Sequence, residues 1–397
     1  MIMPEGDIRN DPWYRTALTH DALGAHLRLA VPHDVFSTMR IDEGTLLLLE
    51  NLPAKEPAHV LDMGCGYGAL GLPIAARFPA AQVILVDRDL LAVHWAKTNA
   101  LAHGLSNVSV YGSLGYRDVP EEERFDWILC NVPARIGEPF IRHLLACGRT
   151  RLTETGELRI VAINDLSPVI EGIGVSEKMP LVKEGQSASH AVYSLMADPS
   201  FTRDTAAPDA LYLRDTVAVD GLSFDRPFDI GGDDPRRLKS AVPIFLDAIM
   251  NHAPRRVLAF RPSYGILPLV SRMRFPDADI IAVERDLLGI EYIRRNAKKN
   301  SLAGEKLVLC EAHHFPASIA DDEFDLAVGE LSSSAGKNVA LAELNALAHA
   351  AGKNGIALVL ALEKNDREWI RPSASRQQCS LTRLISRDGY VLFQVRR

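Results

Sequence analysis

The sequence repeats itself. Residues 58–71 read AHVLDMGCGYGALG and residues 255–268 read RRVLAFRPSYGILP; each is a short β-forming run that enters a turn ending Tyr-Gly and then an apolar, helix-like stretch. VILVDRDLLAVHWAKTNALAHGL from Val83 is matched by IIAVERDLLGIEYIRRNAKKNSL from Ile280. Asp87 and Glu284 therefore lie 197 positions apart, as do Asn99 and Asn296, and Asp62 and Ala259. FDWILCNVPA from Phe125 faces FDLAVGELSS from Phe324, and TGELRIVA from Thr155 faces NGIALVLA from Asn354, both at an offset of 199. Upstream, LRLAVPHDV from Leu27 faces LSFDRPFDI from Leu222 at 195. A nearly constant offset over so many segments marks a tandem duplication, which imposes one fold on both halves.

That fold is α/β. HVLDM, QVILVD, DWILCN and LRIVAI are short and rich in Val, Ile and Leu, and amphipathic stretches such as LLAVHWAKTNALAHG separate them. The alternation predicts a parallel, doubly wound sheet with helices on both faces. ADPSFTRDTAAPD, residues 197–209, has no periodicity and reads as a linker, so the expected domains are 1–198 and 199–397. Each is long enough to close its own core.

Composition excludes several classes. A net charge of -7 disfavours a chain whose whole surface clings to nucleic acid, while leaving room for a local basic patch. The five cysteines, Cys65, Cys130, Cys147, Cys310 and Cys379, lack paired spacing and read as reduced thiols. The opening residues, MIMPEGDIRNDPW, have no apolar core for a signal peptide, and no stretch approaches the ~20 apolar residues of a membrane span. A cytoplasmic location is the expectation.

DMGCGYG places Asp62 at a strand end, followed by Gly64, Gly66 and Gly68 at alternate positions. Glycines tolerate positive φ and let a ligand approach backbone N–H groups closely, and the turn opens a helix N-terminus. Asp87 ends the next strand, 25 positions after Asp62, where a carboxylate can accept both ribose hydroxyls of an adenosine. The plainer alternatives are a tight turn packing strand on helix, and a helix N-cap at Asp87. The third glycine comes one residue earlier than in G-x-G-x-x-G, the dinucleotide fingerprint.

D-x-G-x-G-x-G resembles motif I of class I S-adenosylmethionine-dependent methyltransferases, whose fold is Rossmann-like. On that resemblance Asp62 lies near the cofactor's amino group, the glycines near its methionine portion and Asp87 on its ribose. The first half further resembles the "small" methyltransferase family, which includes two kinds of ribosomal RNA guanine methyltransferase, small-subunit methyltransferase C and large-subunit methyltransferase G. Three stretches carry this: VFSTMRIDEGTLLLLENL from Val35, the DMGCGYGALG turn, and TGELRIVAINDLSP from Thr155. The similarity covers about residues 27–195. It implies an Asn-Pro-Pro-aromatic acceptor motif, in which the Asn carbonyl and the next backbone carbonyl hold an exocyclic amine and the aromatic stacks on a flipped base. Here the motif reads Asn131-Val132-Pro133-Ala134. Asn131 and Pro133 are kept as the catalytic pair, with Asn131 also beside the cofactor. The aromatic is absent, a loss of ~1–3 kcal/mol of stacking unless Arg135 or Phe140 replaces it. Where many class I enzymes place an acid for the adenine amino group this chain has Leu114; Ser113 is a cofactor candidate, and adenine recognition falls to backbone groups and packing.

The second half has lost these features. Ala259, Arg261 and Ser263 stand for Asp62, Gly64 and Gly66; Gly265 and Glu284 remain; Glu330 stands for Asn131. It reads as a degenerate copy that binds no cofactor and serves substrate binding or structure. Arg294, Arg295, Lys298 and Lys299, with Arg236, Arg237, Lys239, Arg255 and Arg256, form either a phosphate patch or an ordinary solvated face. Cys310, His313 and His314 lack a second ligand pair and are not read as a metal site. The leading expectation is methylation of a base amine, guanine in ribosomal RNA, with RNA as partner. The alternatives are a methyltransferase for a protein side chain or small molecule, and a non-catalytic binder of S-adenosylmethionine or RNA.

Overall fold

The computed structural model describes residues 8–198, 200–201, 210–228, 237–250, 252–314, 316, 319, 324–332, 334–373 and 379–396. Pro199 and residues 202–209 of the expected linker, and Arg236 of the expected basic patch, lie outside them. The chain divides into two compact units, Met1–Leu213 and Arg214–Arg397.

The first unit opens with a hairpin, β1 (Tyr14–Ala22) and β2 (Ala25–Pro32), and continues through α1 (Glu43–Glu50), β3 (His59–Met63), α2 (Gly71–Arg77), β4 (Gln82–Asp87), α3 (Leu90–Ala102), β5 (Val108–Gly112), β6 (Phe125–Asn131), α4 (Glu138–Thr150), β7 (Leu152–Ile163), α5 (Ser167–Ser176), β8 (Val182–Gln186) and β9 (His190–Met196). Seven strands form one sheet in the order β5-β4-β3-β6-β7-β9-β8. β3 to β7 run parallel, and β9 is antiparallel to β7. Helices cover both faces, which is why the central strands are unbroken apolar runs and not alternating ones. α3 starts where it does because Asp89 accepts from Leu91 N (3.0 Å), a cap worth about 1 kcal/mol. Trp95 of α3 is 1% exposed.

The second unit repeats this plan with β10 (Leu213–Val219), β11 (Leu222–Pro227), α6 (Val242–Ile249), β12 (Arg256–Phe260), α7 (Ile266–Arg274), β13 (Asp279–Glu284), α8 (Leu287–Lys299), β14 (Leu307–Glu311), β15 (Leu326–Glu330), α9 (Gly336–Ala350), β16 (Ile356–Leu362), β17 (Ser380–Arg387) and β18 (Tyr390–Arg396). Its sheet order, β14-β13-β12-β15-β16-β18-β17, is that of the first. The fold is two tandem doubly wound, Rossmann-like α/β units.

The repeated polar residues prove to be staples. Asn99 on α3 accepts from Ala30 N (2.7 Å) and donates to Ala30 O and Tyr67 O (both 2.9 Å), tying hairpin, helix and glycine turn together. Asn296 makes the same set with Asp225 N (2.8 Å), Asp225 O (3.0 Å) and Tyr264 O (2.9 Å). Asp126 accepts from Ala58 N and His59 N as Asp325 does from Arg255 N and Arg256 N. Both asparagines are at most 1% exposed. Asn99→Ala strands buried backbone groups of Ala30 and Tyr67, so a loss of about 3 kcal/mol is expected in denaturant unfolding of the first unit.

The basic helix of the second unit is largely an ion-paired face. Arg295 (2.6 Å) and Lys299 both bond Asp225, and Arg294 meets Glu311 at 3.1 Å. His313 and His314 bond each other at 2.8 Å. Among the described residues no group of three or more His, Cys, Asp or Glu is arranged to hold a metal ion. No helix among them is long and apolar enough to cross a membrane.

Candidate active site

In the first sheet β3 lies between β4 and β6, so the chain order reverses beside it. Ligand crevices in open α/β sheets form at such a point, at the carboxyl ends of the strands. Asp62 near the end of β3, Asp87 at the end of β4 and Asn131 at the end of β6 therefore share one rim, although far apart in sequence.

The turn after β3 carries three positive-φ glycines, Gly64 (77°), Gly66 (56°) and Gly68 (97°). A Cβ on Gly64 or Gly66 would meet no atom within 4 Å, so open space fronts the turn there. One on Gly68 would come within 2.5 Å of Leu72. Gly64 and Gly66 thus leave the front of the turn open, while Gly68 lets the following helix pack.

The N–H groups of Gly64, Cys65, Gly66 and Gly68 have partners within the fold. Gly64 N and Cys65 N donate to Val86 O (2.8 and 3.0 Å), and Gly66 N donates to Asp87 Oδ2 (2.9 Å). Within the fold the Gly64 and Cys65 amides tie the turn to the backbone of β4, and the Gly66 amide holds Asp87. Asp87 Oδ1 also accepts from Asp89 N (2.8 Å), which locks the carboxylate in place.

Asp62 is 1% exposed and accepts from Gly71 N (2.9 Å) at the start of α2. Burial raises its carboxyl to about 7, opposed by the Gly71 bond and aided by the charge of Asp87. Asp87 lies partly exposed at the rim, yet burial of its carboxyl raises it to about 6. The sign of the stability effect follows. A carboxyl raised in the fold favours folding below its unfolded value of about 4, and that advantage is lost as pH rises to about 7. Asp62→Asn should therefore gain stability relative to the parent by a few kcal/mol between about pH 4 and 8, read as the difference between their unfolding curves. A pH-independent difference would contradict the assignment. Burial likewise pushes the Cys65 thiol up, which marks it as packing and not a nucleophile.

At the end of β6 the Asn131 Nδ2 donates to Asp42 Oδ2 (2.8 Å) and to Thr45 Oγ1 (3.2 Å). Val132 N is bonded to Val161 O (2.8 Å), anchoring the turn to β7, and Pro133, Ala134 and Arg135 are exposed.

The model of the methyltransferase small domain matches residues 26–170. The ribosomal RNA small subunit methyltransferase C of Pseudomonas entomophila is 40% identical over 144 residues, 35% of this chain and 42% of that protein. The uncharacterised protein YbxB of Bacillus subtilis is 31% identical over 154 residues, 36% of this chain and 77% of that protein. The chain belongs to the methyltransferase small-domain family. It spans less than half the length of the P. entomophila enzyme just named. A solved structure of the T. thermophilus 16S rRNA methyltransferase RsmC, in complex with AdoMet and guanosine, has the same fold at 17% identity. Its TM-score is 0.68, covering 98% of this chain and 99% of that one.

Within this member of the methyltransferase small-domain family the residues read from sequence fall into two groups. Asp62, Gly64, Gly66, Asp87, Asn131 and Pro133 gather at the crevice rim. Ser113 does not offer its hydroxyl: it is 2% exposed, donates to Gly115 O (2.7 Å) and accepts from Asp118 N (3.2 Å), so it braces the turn after β5. Leu114 N is engaged by Asp118 Oδ2 (3.2 Å), which brings to that turn an acid that sequence alone did not single out. Phe140 cannot replace the missing aromatic, because it is 7% exposed and packs against Tyr212 with ring centroids 5.4 Å apart. Asp42 and Thr45 were missed as site residues. Their signal was the Asp-x-Gly-Thr start of α1, which lies in the VFSTMRIDEGTLLLLENL stretch that entered the sequence reading only as part of the family resemblance.

The second unit keeps the turn's shape with only one of its three glycines, Gly265 at φ 102°. Arg261 and Ser263 hold φ of 53° and 59°, a conformation costing roughly 1–2 kcal/mol per non-glycine residue. Ser263 N still donates to Glu284 Oε2 (2.8 Å), as Gly66 does to Asp87. The Arg261 guanidinium pairs with Glu343 of α9 at 3.0 Å.

Proposed function

We propose that this chain is a methyltransferase that uses S-adenosylmethionine to methylate an exocyclic amino group of a base, guanine in ribosomal RNA. Residues 1–198 are the catalytic domain and residues 199–397 a worn copy that serves substrate binding or structure. One observation carries the reading: both hydrogens of the Asn131 amide are spent on Asp42 and Thr45, so what Asn131 offers outward is a carbonyl.

An amine conjugated to a base is a weak nucleophile because its lone pair is delocalised. Asn131 Oδ1 and the Val132 carbonyl accept its hydrogens and orient the lone pair, and Pro133 limits how far that turn can move. S-adenosylmethionine, when bound, supplies a methyl made electrophilic by the sulfonium. Asp87, held by Gly66 and Asp89, accepts the ribose hydroxyls; Gly64 and Gly66 leave room for the chain beside them; Asp62 places negative charge near the amino group. Family membership supports the reaction class. The guanosine and AdoMet in the T. thermophilus structure and the name of the P. entomophila relative support the substrate. This reading makes the protein cytoplasmic, with RNA as its partner.

A second reading, a protein or small-molecule methyltransferase, is favoured by Ala134 in place of the aromatic and by the burial of Phe140. Incubation with methyl-labelled cofactor and separated RNA, protein and metabolite fractions decides: label is expected in RNA. Label confined to another fraction would move the assignment to that reading, and binding without transfer to any fraction would leave a non-catalytic binder.

A further inference from the structure

We propose that the segment Asp42-Glu43-Gly44-Thr45 is a positioning device for Asn131, with Asp42 and Thr45 as positioning residues and Gly44 as the residue that makes room for the Asp42 carboxylate. This rests on the reading that Asn131 holds the acceptor amine.

A side-chain amide can present either its oxygen or its nitrogen to a neighbour, and the two ends have nearly the same shape. At Asn131 that choice decides function, since only the oxygen can take a hydrogen from an amine. An ionised carboxylate accepts and cannot donate, so the 2.8 Å contact with Asp42 Oδ2 requires the nitrogen. Thr45 Oγ1 at 3.2 Å takes the second hydrogen. The reversed amide would set two acceptors against each other. The pair therefore selects one of two orientations before any substrate arrives, which is the preorganisation that positioning catalysis needs.

The device is itself rigid. Asp42 has extended backbone, φ -65° and ψ 141°, and caps α1, its Oδ2 accepting from Thr45 N at 3.2 Å. The helix register thereby sets Asp42 and Thr45 three residues apart on the side that meets β6. Gly44 is required for a steric reason. A Cβ there would stand 2.9 Å from Asp42 Oδ2 and 2.9 Å from the His190 ring, so any side chain pushes the carboxylate off Asn131. The worn copy has lost both ends of the arrangement. At the 197-position offset Asp42, Gly44 and Thr45 face Lys239, Ala241 and Val242, and Glu330 stands for Asn131.

The test uses the full chain and four variants. Asp42→Ser keeps a good helix cap but removes the carboxylate; Asp42→Asn can still accept through its oxygen; Gly44→Ala leaves every polar group in place; Asn131→Ala removes the target. Thermal unfolding and calorimetric titration with S-adenosylhomocysteine serve as controls for folding and cofactor binding, which should change by no more than about threefold in affinity. Asp42→Ser and Gly44→Ala are expected to lower kcat about 30-fold with little change in KM for the cofactor, and Asp42→Asn by less than about 5-fold, as for loss of one preorganised group. Adding Asn131→Ala to Asp42→Ser should cost little beyond Asn131→Ala alone, because the two act as a unit. Losses that multiply in the double variant, or an Asp42→Ser no worse than Asp42→Asn, would overturn the proposal. A readout independent of substrate is the Asn131 side-chain NH2 signal by 15N NMR, assigned by its loss in Asn131→Ala. It should show slowed hydrogen exchange in the parent and fast exchange in Asp42→Ser. If exchange does not change, the proposal fails whatever the activity. If the parent methylates no RNA while exchange changes as expected, it is the functional reading that fails.

Discussion

Asp87→Ala is expected to weaken binding of S-adenosylmethionine and its demethylated product at least about 100-fold and to leave methyl transfer undetectable at ordinary cofactor concentration. The carboxylate closes the glycine turn by accepting from Gly66 N and Asp89 N. In the proposed function it also accepts the ribose hydroxyls of the cofactor. Charge-assisted bonds of this kind contribute roughly 1.5–3 kcal/mol each, and about 1.4 kcal/mol is a factor of ten in affinity. Two ribose contacts alone therefore account for the expected loss. Asp87→Asn, which can still accept from one N–H, should fall between the parent and Asp87→Ala. Calorimetric titration measures both, and an Asp87→Ala protein that binds the donor as tightly as the parent would remove the crevice from consideration as its site.

Asn131→Ala should behave differently. The turn it belongs to is anchored through Val132 N to Val161 O and through the Pro133 ring, neither of which the substitution touches. Cofactor affinity is expected to stay within about threefold, while kcat falls about 100- to 1,000-fold, the usual cost of removing one preorganised group aimed at the reacting atoms. The Asp42 carboxylate is then left facing a cavity, so a modest loss of stability accompanies the loss of rate. Full RNA methylation by Asn131→Ala would show that the acceptor is held elsewhere. The contrast between the two variants, affinity lost in one and rate in the other, separates the donor half of the crevice from the acceptor half.

The repeat offset of 197 placed Asn99 opposite Asn296 and Asp87 opposite Glu284, and with them the conclusion that both halves share one α/β plan. Short Val, Ile and Leu runs between amphipathic stretches were enough for the doubly wound class, because strands buried on both faces leave no other pattern. D-x-G-x-G-x-G and the acid ending β4 were legible because a positive-φ turn and a strand end are local features written in adjacent residues. What each residue does in the site was not local. Gly68 resembles Gly64 and Gly66 in sequence, and only the position of Leu72 shows that it serves packing. Ser113 looked available until the turn after β5 closed on it through Gly115 and Asp118. Phe140 was a reasonable substitute for an absent aromatic until its ring proved to lie against Tyr212. Arg295 and Lys299 could be read as phosphate contacts or as a solvated face, and only the fold brings both onto Asp225, 70 and 74 positions earlier. Asp42, 89 positions from Asn131, lay in a stretch that carried the family resemblance, with nothing in it to pair the two residues. Chain order determines which residues make a turn, a strand end or a cap, since those depend on neighbours a few positions away. Which side chain is left with an unspent donor or acceptor depends on partners brought from distant strands, and only the closed sheet sets those distances.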